Sequence, residues 1–393
     1  MVIGVPKESY PEERRVALTP AVIVSLTQSG LKILIEAGTG AGAGYSDEEF
    51  KQSGAEIIES RREVFSSAEV IVQVLALSAN PPAGLSDLGL MRPDQALIAF
   101  LRPLAANRNI ITLAKAGVTG FAVELIPRIT RAQSMDALSS MSTVVGYKAV
   151  LAAAEVLPKM FPMLMTAAGT IKPARIFVIG AGILGLQAIA TARRLGAVVK
   201  AYDVRPAVKQ EVESLGARFV ELPLETGEEE KAGGYAKAKD ESFYRRQQEL
   251  LADVIAESDV VIAAAVVPGR KAPVLITEEM VKKMASGSVI VDLASEQGGN
   301  CAVSSAGETV VSHGVTIMSP INIASTVPFH ASQMYAKNMS SFLLYLVKDG
   351  QLRLDREDQI ISETLVTHGG EVVNPRIREF LQLPPLEPGG KKI

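Results

Sequence analysis

Two rhythms of apolar and polar positions alternate along the first third of the chain. Short β-rich runs at Val2 to Val5, Leu31 to Glu36, Glu69 to Leu75, Ala96 to Leu101 and Gly120 to Glu124 predict strands. Between them lie stretches of helical period, such as Ala21 to Ser29 and Ile110 to Ala116. Strands separated by helices predict a parallel sheet. An Ala- and Leu-rich stretch from Met135 to Leu157 predicts a long helix, with Ser134 as its N-cap and Pro158 just past its end. A second strand–helix series follows. Its strands are expected at Arg175 to Ile179, Val198 to Asp203, Arg218 to Glu221, Val260 to Ala265, Ser288 to Asp292 and Val315 to Met318. Another long helix is expected from Pro328 to Val347, because proline suits a first turn and Gly350 suits the stop. The C-terminal stretch is mixed, and its end, Gly389-Gly390-Lys391-Lys392, is expected to fray.

The architecture this pattern predicts is α/β, with two Rossmann-like parallel-sheet domains, the second inserted into the first. Residues 1–137 with 325–393 would form one domain and residues 138–324 the other. The two long helices would join them and leave a cleft between, the ordinary place for a ligand.

Composition narrows the function more than the fold. The 393 residues are 48% hydrophobic, enough for more than one sizeable core. Lys+Arg 40 against Asp+Glu 43 leaves a net charge of -3, with none of the basic excess that nucleic acid demands. One cysteine, Cys301, excludes an internal disulfide and fits a reducing compartment. His313, His330 and His368 share no close spacing, which argues against a His/Cys metal site. The uncharged run Ile176 to Ala192 contains Gly180, Gly182 and Gly185 and begins as a strand, so it reads as strand, turn and helix rather than as a membrane span. No N-terminal segment has the make-up of a signal peptide. A cytoplasmic chain without a span of its own is expected.

That same run carries the strongest chemical signal. Arg175 to Ile179 enters as a strand, Gly180-Ala-Gly182-Ile-Leu-Gly185 turns, and Leu186 to Leu195 continues as helix. The next strand ends at Asp203, close to the spacing of about 20 residues expected of a dinucleotide fingerprint. Gly180 would permit the tight turn, Gly182 the approach of backbone to pyrophosphate, and Gly185 close packing of helix on strand. The helix N-terminus would face the phosphates. Asp203 would bind both ribose hydroxyls of NAD. A 2′-phosphate would meet its charge at a cost of about 4 kcal/mol at about 4 Å. Arg205 could partly offset that cost, yet NAD is favoured over NADP.

Other candidates are less specific. Arg128, Gln133, Asp136 and Ser139 cluster where the first domain meets the long helix. Asp136 and Ser139, three apart, share a helix face. An arginine, an amide, a carboxylate and a hydroxyl there could orient a nicotinamide carboxamide; a polar helix start with a capping interaction is the plain alternative. The charged connection around Gly233-Gly234-Tyr235 could fold over a nucleotide as a lid, or be a solvated insertion. No histidine stands out as the proton donor that carbonyl reduction needs. Hydride transfer between two nicotinamides needs no proton at that step.

Several segments resemble a known superfamily. Ile3-Gly-Val-Pro-Lys-Glu8 and Arg15-Val-Ala-Leu-Thr-Pro20 resemble the opening of alanine dehydrogenases and proton-translocating transhydrogenases. Arg128 to Asp136, Gly233-Gly234-Tyr235-Ala-Lys and Val291-Asp-Leu-Ala-Ser-Glu-Gln-Gly-Gly-Asn300 are more similar to the NAD(H)-binding domain I, or α subunit, of NAD(P) transhydrogenase. The resemblance covers nearly the whole chain. It implies that Arg128, Gln133, Asp136 and Ser139 form the nicotinamide-side loop, with Ile129, Ser134 and Met135 as further cofactor contacts. It implies pyrophosphate and ribose contacts at Gly180, Gly182, Ile183, Gly185, Asp203, Val204 and Arg205. It places Gly234, Tyr235 and Gln247 at a mobile loop and its neighbour, with Tyr235 among the catalytic residues, and Val266 close to the adenosine. Arg15 matches the carboxylate-binding arginine of alanine dehydrogenase. That family's catalytic lysine falls on Leu75 and its histidine on Arg102.

The implied activity is transfer of hydride from NADH to NADP⁺ held on a partner subunit, in a proton-translocating NAD(P)⁺ transhydrogenase. NAD(H) would be this chain's cofactor, and NADP(H) the partner's. The implied partners are a second copy of the chain and the NADP-binding and membrane-spanning subunits, which would hold it peripherally at the inner face of the membrane. An alanine dehydrogenase-like amino-acid dehydrogenase is the alternative.

Overall fold

The computed structural model describes residues 1–105, 108–223, 230–231, 235–236, 241–266 and 270–386, with backbone alone at 230–231 and 235–236. Two compact units divide the chain, Met1–Met141 with Ser325–Ile393, and Ser142–Ala324.

The first unit is built on an eight-stranded sheet. From one edge the order is Glu371–Val372, Leu365–His368, Thr119–Ala122, Ala96–Phe100, Val70–Leu75, Val2–Val5, Lys32–Glu36 and Glu56–Ile58. The six strands that come first in the chain are all parallel and stand in the order third, second, first, fourth, fifth, sixth. That is the doubly wound Rossmann arrangement. Val70–Leu75 is buried from end to end but for its last residue, as a central parallel strand covered on both faces must be. The two C-terminal strands add in antiparallel fashion and widen the sheet.

Seven strands form the sheet of the second unit, in the order Arg218–Phe219, Val198–Tyr202, Arg175–Ile179, Val260–Ala263, Val289–Asp292, Val315–Met318 and Thr309–Ser312. Its first five strands in chain order repeat the third, second, first, fourth, fifth arrangement. Register is set by apolar partners: Val178 pairs with Ala201 on one side and Ile262 on the other. One core lies on each face of the sheet, around Ile176, Val178 and Val260 on one side and Phe177, Ile179 and Val261 on the other.

The long helix at the junction differs from its expected form. Residues Thr130–Met135 wind as a 3₁₀ turn and the α-helix proper is Ala137–Val156. Ser134 therefore does not cap it. Asp136 does, its Oδ1 accepting from Ser139 N at 2.9 Å, which satisfies one of the helix's unpaired first-turn donors. By length and composition this helix is apolar enough to cross a bilayer. Here Ala149, Val150 and Ala153 are buried in the second unit's core. A Cβ on Gly146 would come 2.2 Å from Leu184 O, so the helix lies backbone to backbone against Ile183–Arg194.

The boundary at 324/325 precedes the second long helix, Pro328–Leu346. Its buried face carries Ala331, Tyr335, Met339, Phe342 and Leu346 into the first unit. Tyr335 Oη donates to Gln73 O at 2.8 Å, and Phe342 meets the edge of Phe121.

Candidate functional site

In the second unit the first and fourth strands, Arg175–Ile179 and Val260–Ala263, are neighbours whose onward connections leave in opposite directions. Ligands of doubly wound sheets bind at this switch point, beyond the carboxyl ends of the strands. Gly180 follows the first of these strands with φ +93, a left-handed conformation that side chains oppose. A Cβ on Gly185 would stand 1.9 Å from Gly180 O, so only glycine lets the helix Ile183–Arg194 return so closely onto the turn. Gly182 is different. A Cβ there would meet nothing nearer than Arg205 Nη2 at 4.0 Å. The space above it is open to a ligand, and the helix N-terminus beginning at Ile183 supplies backbone N–H groups.

Asp203 directly follows Val198–Tyr202. Its Oδ2 accepts from Ala181 N at 2.8 Å, so the acid also fastens the glycine turn. Its Oδ1 accepts from Arg205 N and Arg205 Nε, each at 2.9 Å. Val204 between them packs against the core. Val266 follows the fourth strand, half-buried, on a segment whose Ala264 lies against Gly180. Gly180, Gly182, Ile183, Gly185, Asp203, Val204, Arg205 and Val266 are thus brought to one end of one sheet.

Gln247 sits behind this group. It is buried on the helix Glu241–Ala256 and donates Nε2 to Tyr202 Oη at 2.9 Å. Its Oε1 is buried with no partner among the described residues. Gly234 lies outside the described residues. Tyr235 is described only as backbone, paired with Lys231 in a short antiparallel bridge.

Sequence reasoning gave no role to the residues that hold the Val266 segment. Asn300 Oδ1 accepts from Ala265 N at 2.9 Å, and its Nδ2 donates to Ala265 O and Pro273 O, both at 2.8 Å. Asp292, fully buried, accepts from the N–H groups of Ala294, Asn300 and Cys301 and from Ser304 Oγ. The signal was the run Val291 to Asn300: an acid and an amide framing a pair of glycines directly after an apolar strand.

The nicotinamide-loop candidates belong to the first unit. Arg128, Gln133 and Ser134 are exposed, Ile129, Asp136 and Ser139 half-buried, and Met135 buried. The loop is held from two sides. Asn338 donates to Ser134 O at 2.8 Å, and Arg131 donates to Tyr345 Oη at 2.8 Å and Asp358 Oδ2 at 2.9 Å. Asp136 and Ser139 meet as cap and first turn, through Ser139 N and Oγ, rather than as neighbours on a helix face.

The first unit also holds a buried charged group, of which only Arg15 stood out in the sequence. Arg15 is gripped by both oxygens of Glu13, at 2.8 and 2.6 Å. Burial, then the charge of Glu13, push Glu8 up to about 8, against the N–H groups of Val74 and Leu75 and against Arg15. Burial likewise pushes Glu124 up to about 7. Leu75 ends its strand without a titratable group, and Arg102 is exposed. The histidines are held singly: His313 by Glu278, His368 by Thr119 and His330 against Phe329. No group of three or more metal-ligating side chains occurs among the described residues.

Fold and site define a two-unit Rossmann protein of dinucleotide-binding type. Comparison with known proteins makes this specific. The family "Alanine dehydrogenase/PNT, N-terminal domain" matches residues 4–145 and "Alanine dehydrogenase/PNT, C-terminal domain" matches residues 149–375; the chain belongs to this alanine dehydrogenase/PNT family. It is 44% identical over 380 residues to an NAD(P) transhydrogenase subunit alpha chain of Rhodospirillum rubrum, covering 96% of this chain and 99% of that one. The crystal structure of transhydrogenase from Sinorhizobium meliloti superposes with a TM-score of 0.82 at 40% identity, covering 96% of this chain and 100% of that one. Alanine dehydrogenase of Mycolicibacterium smegmatis is more distant, 29% identical over 393 residues and 98% of each chain. The chain is thus an oxidoreductase of transhydrogenase type, and NAD(H) fits its family and its glycine turn.

Proposed function

We propose that the chain is the NAD(H)-binding catalytic subunit of a proton-translocating NAD(P)⁺ transhydrogenase, acting with Re/Si stereospecificity. The observation that carries this reading is the Gly180–Gly185 turn at the switch point with Asp203 at the end of the next strand, in a chain 44% identical to a transhydrogenase alpha subunit along nearly its whole length. NADH, when bound, supplies the hydride. Gly182 and the N-terminus of Ile183–Arg194 receive its pyrophosphate, Asp203 its ribose hydroxyls, and Val266 flanks the adenosine. Arg128 and Gln133, with Ile129, Ser134 and Met135, hold the nicotinamide end. Asp136 and Ser139 steady that loop at the start of the helix. The nicotinamide must meet a second one at about 3–3.5 Å for transfer, so NADP⁺ is held by a partner subunit. Proton movement belongs to a separate membrane subunit, against which this chain sits peripherally on the cytoplasmic face, as a homodimer.

The test is transfer from deuterated NADH to an NADP⁺ analogue, with each subunit left out in turn. This chain with a soluble NADP-binding partner transfers hydride without lipid. Alone it binds NADH and transfers none to NADP⁺. Efficient transfer by this chain alone would overturn the reading. Light scattering of the purified chain tests the homodimer.

Alanine dehydrogenase activity is the second reading, favoured by the retained Arg15 and the 29% identity across the whole chain. Against it stand Leu75 and Arg102, which offer neither an amine nor an imidazole where that family has its lysine and histidine. Alanine turnover at enzymatic rates would restore it.

A further inference from the structure

Asp203 and Arg205 are two residues apart in sequence and form one joined charge pair in space. Asp203 Oδ1 accepts from Arg205 Nε at 2.9 Å and Oδ2 from Nη2 at 3.1 Å, a two-armed clasp. Both side chains are largely buried, the arginine at 11% and the acid at 7% exposure. The same guanidinium is the nearest neighbour of the open space over Gly182. It therefore touches the acid that would meet a ribose and borders the turn that would meet phosphate.

A bare carboxylate at Asp203 would exclude a 2′-phosphate by repulsion. This carboxylate is not bare, because the guanidinium already balances it. What keeps a 2′-phosphate out must then be competition for Arg205. The planar fork of arginine fits carboxylate and phosphate equally well. A phosphate that took it would leave Asp203 buried without its counter-charge, which is costly.

We infer that Arg205 is a latent receptor for a 2′-phosphate, held in check by Asp203, and that the pair rather than the acid alone sets the choice of NAD(H) over NADP(H). Removing the charge from Asp203 releases Arg205 toward the phosphate. Removing Arg205 leaves Asp203 bare and sharpens the preference for NAD(H). This rests on the reading of the Gly180–Gly185 turn as the NAD(H) site.

Dissociation constants of the full chain for NADH and NADPH, measured by nucleotide fluorescence, test it in four proteins: unmodified, Asp203→Asn, Arg205→Gln and the double variant. Asparagine keeps an oxygen for Ala181 N. Asp203→Asn should move the NADH-to-NADPH preference by about a hundredfold toward NADPH, and NADPH binding should become strongly salt-dependent. Adding Arg205→Gln to it should weaken NADPH by about tenfold or more, and by clearly more than it weakens NADH. Arg205→Gln alone should move the preference further toward NADH, which keeps the idea testable if Asp203→Asn folds poorly. A purely structural Arg205 would weaken both nucleotides in the same proportion, and that result overturns the inference while leaving the NAD(H) site standing. An unmodified chain that binds neither nucleotide takes down both.

Discussion

The two units share the order of their first five strands and put opposite things at the same place in it. Each sheet has its first and fourth strands side by side, Val2–Val5 with Val70–Leu75 and Arg175–Ile179 with Val260–Ala263. In the second unit the first strand runs into glycines, and the space over Gly182 stays open. In the first unit it runs into Pro6-Lys7-Glu8. Glu8 turns its carboxylate onto the end of the fourth strand, accepting from Val74 N at 2.6 Å and Leu75 N at 3.1 Å. Arg15, Glu13 and Tyr335 fill in around it, all buried. One switch point presents backbone; the other is occupied by the chain's own side chains. The fold offers a place for a ligand twice, and the first few residues after the first strand decide whether it is kept.

The comparison breaks most sharply at Gly185. In Gly185→Val the new side chain begins 1.9 Å from Gly180 O. The turn must move, at a cost of about 3 kcal/mol or more, and NADH binding should fall below detection in a fluorescence titration. Glu8→Gln, at the matching place in the first unit, should leave NADH affinity unchanged. An NADH affinity that followed Glu8 rather than Gly185 would reverse the assignment of the two switch points.

Arg128 and Gln133 sharpen it next. Both are exposed on the first unit, so alanine at either should leave thermal stability nearly unchanged. Turnover with the NADP-binding partner should fall about tenfold or more, since a misplaced nicotinamide forfeits orientation. Turnover equal to that of the unmodified chain would leave Asp136 and its neighbours as a helix start and nothing more.

A smaller effect is expected at Asn300. Asn300→Ala strands Ala265 N and O and Pro273 O without their partner. Lost hydrogen bonds to buried groups cost about 1–3 kcal/mol. The melting temperature should drop, and NADH affinity should fall by about tenfold as Val266 loosens. Asn300→Asp should recover nothing, because it sets a carboxylate oxygen against Ala265 O and Pro273 O, which need a donor. A stability loss with unchanged affinity would make Asn300 a brace of the core alone.

Much of this is legible in the residues alone. Strand and helix rhythm placed the parallel strands of both sheets to within a residue or two, because buried parallel strands are continuous apolar runs; the exception is the three-residue edge strand Glu56–Ile58, too short and too polar at its start to show a rhythm. The glycine turn and Asp203 were legible because backbone sterics admit few residue types there. The antiparallel strands Leu365–His368 and Glu371–Val372 were not, because short edge pairings draw their stability from the sheet they join. Ser134 was misread as a cap because 3₁₀ and α turns share their residue preferences, and only the hydrogen bond to Asp136 separates them. Asn300 and Glu8 were missed as contributors because their partners are backbone groups far away in sequence, and no spacing rule reports those.

The mildest prediction concerns pH, where the two units should part in opposite directions. Glu8 is raised from 4.5 to about 8, chiefly by burial and next by Glu13, and Glu124 to about 7 by burial. A carboxyl whose pKa is higher in the folded state than in the unfolded state favours folding while it is protonated in the fold. Its contribution is complete below about 4.5 and is lost as pH rises through about 7 to 8. Asp259 in the second unit runs the other way. Burial raises it, but Lys159 at 2.6 Å, the N–H of Arg175 and the charges of both outweigh burial and hold it below its ordinary 3.8. Its contribution is present at neutral pH and is lost only as the solution becomes strongly acid. Hydrogen exchange resolved by unit should therefore show the first unit loosening between pH about 5 and 8, with the second unit holding until below about pH 4. Glu8→Gln should flatten the alkaline loss in the first unit, and Asp259→Asn the acid loss in the second. A first unit whose protection rises with pH across that range would mean that Glu8 is charged in the fold, with its two backbone donors and Arg15 prevailing over burial.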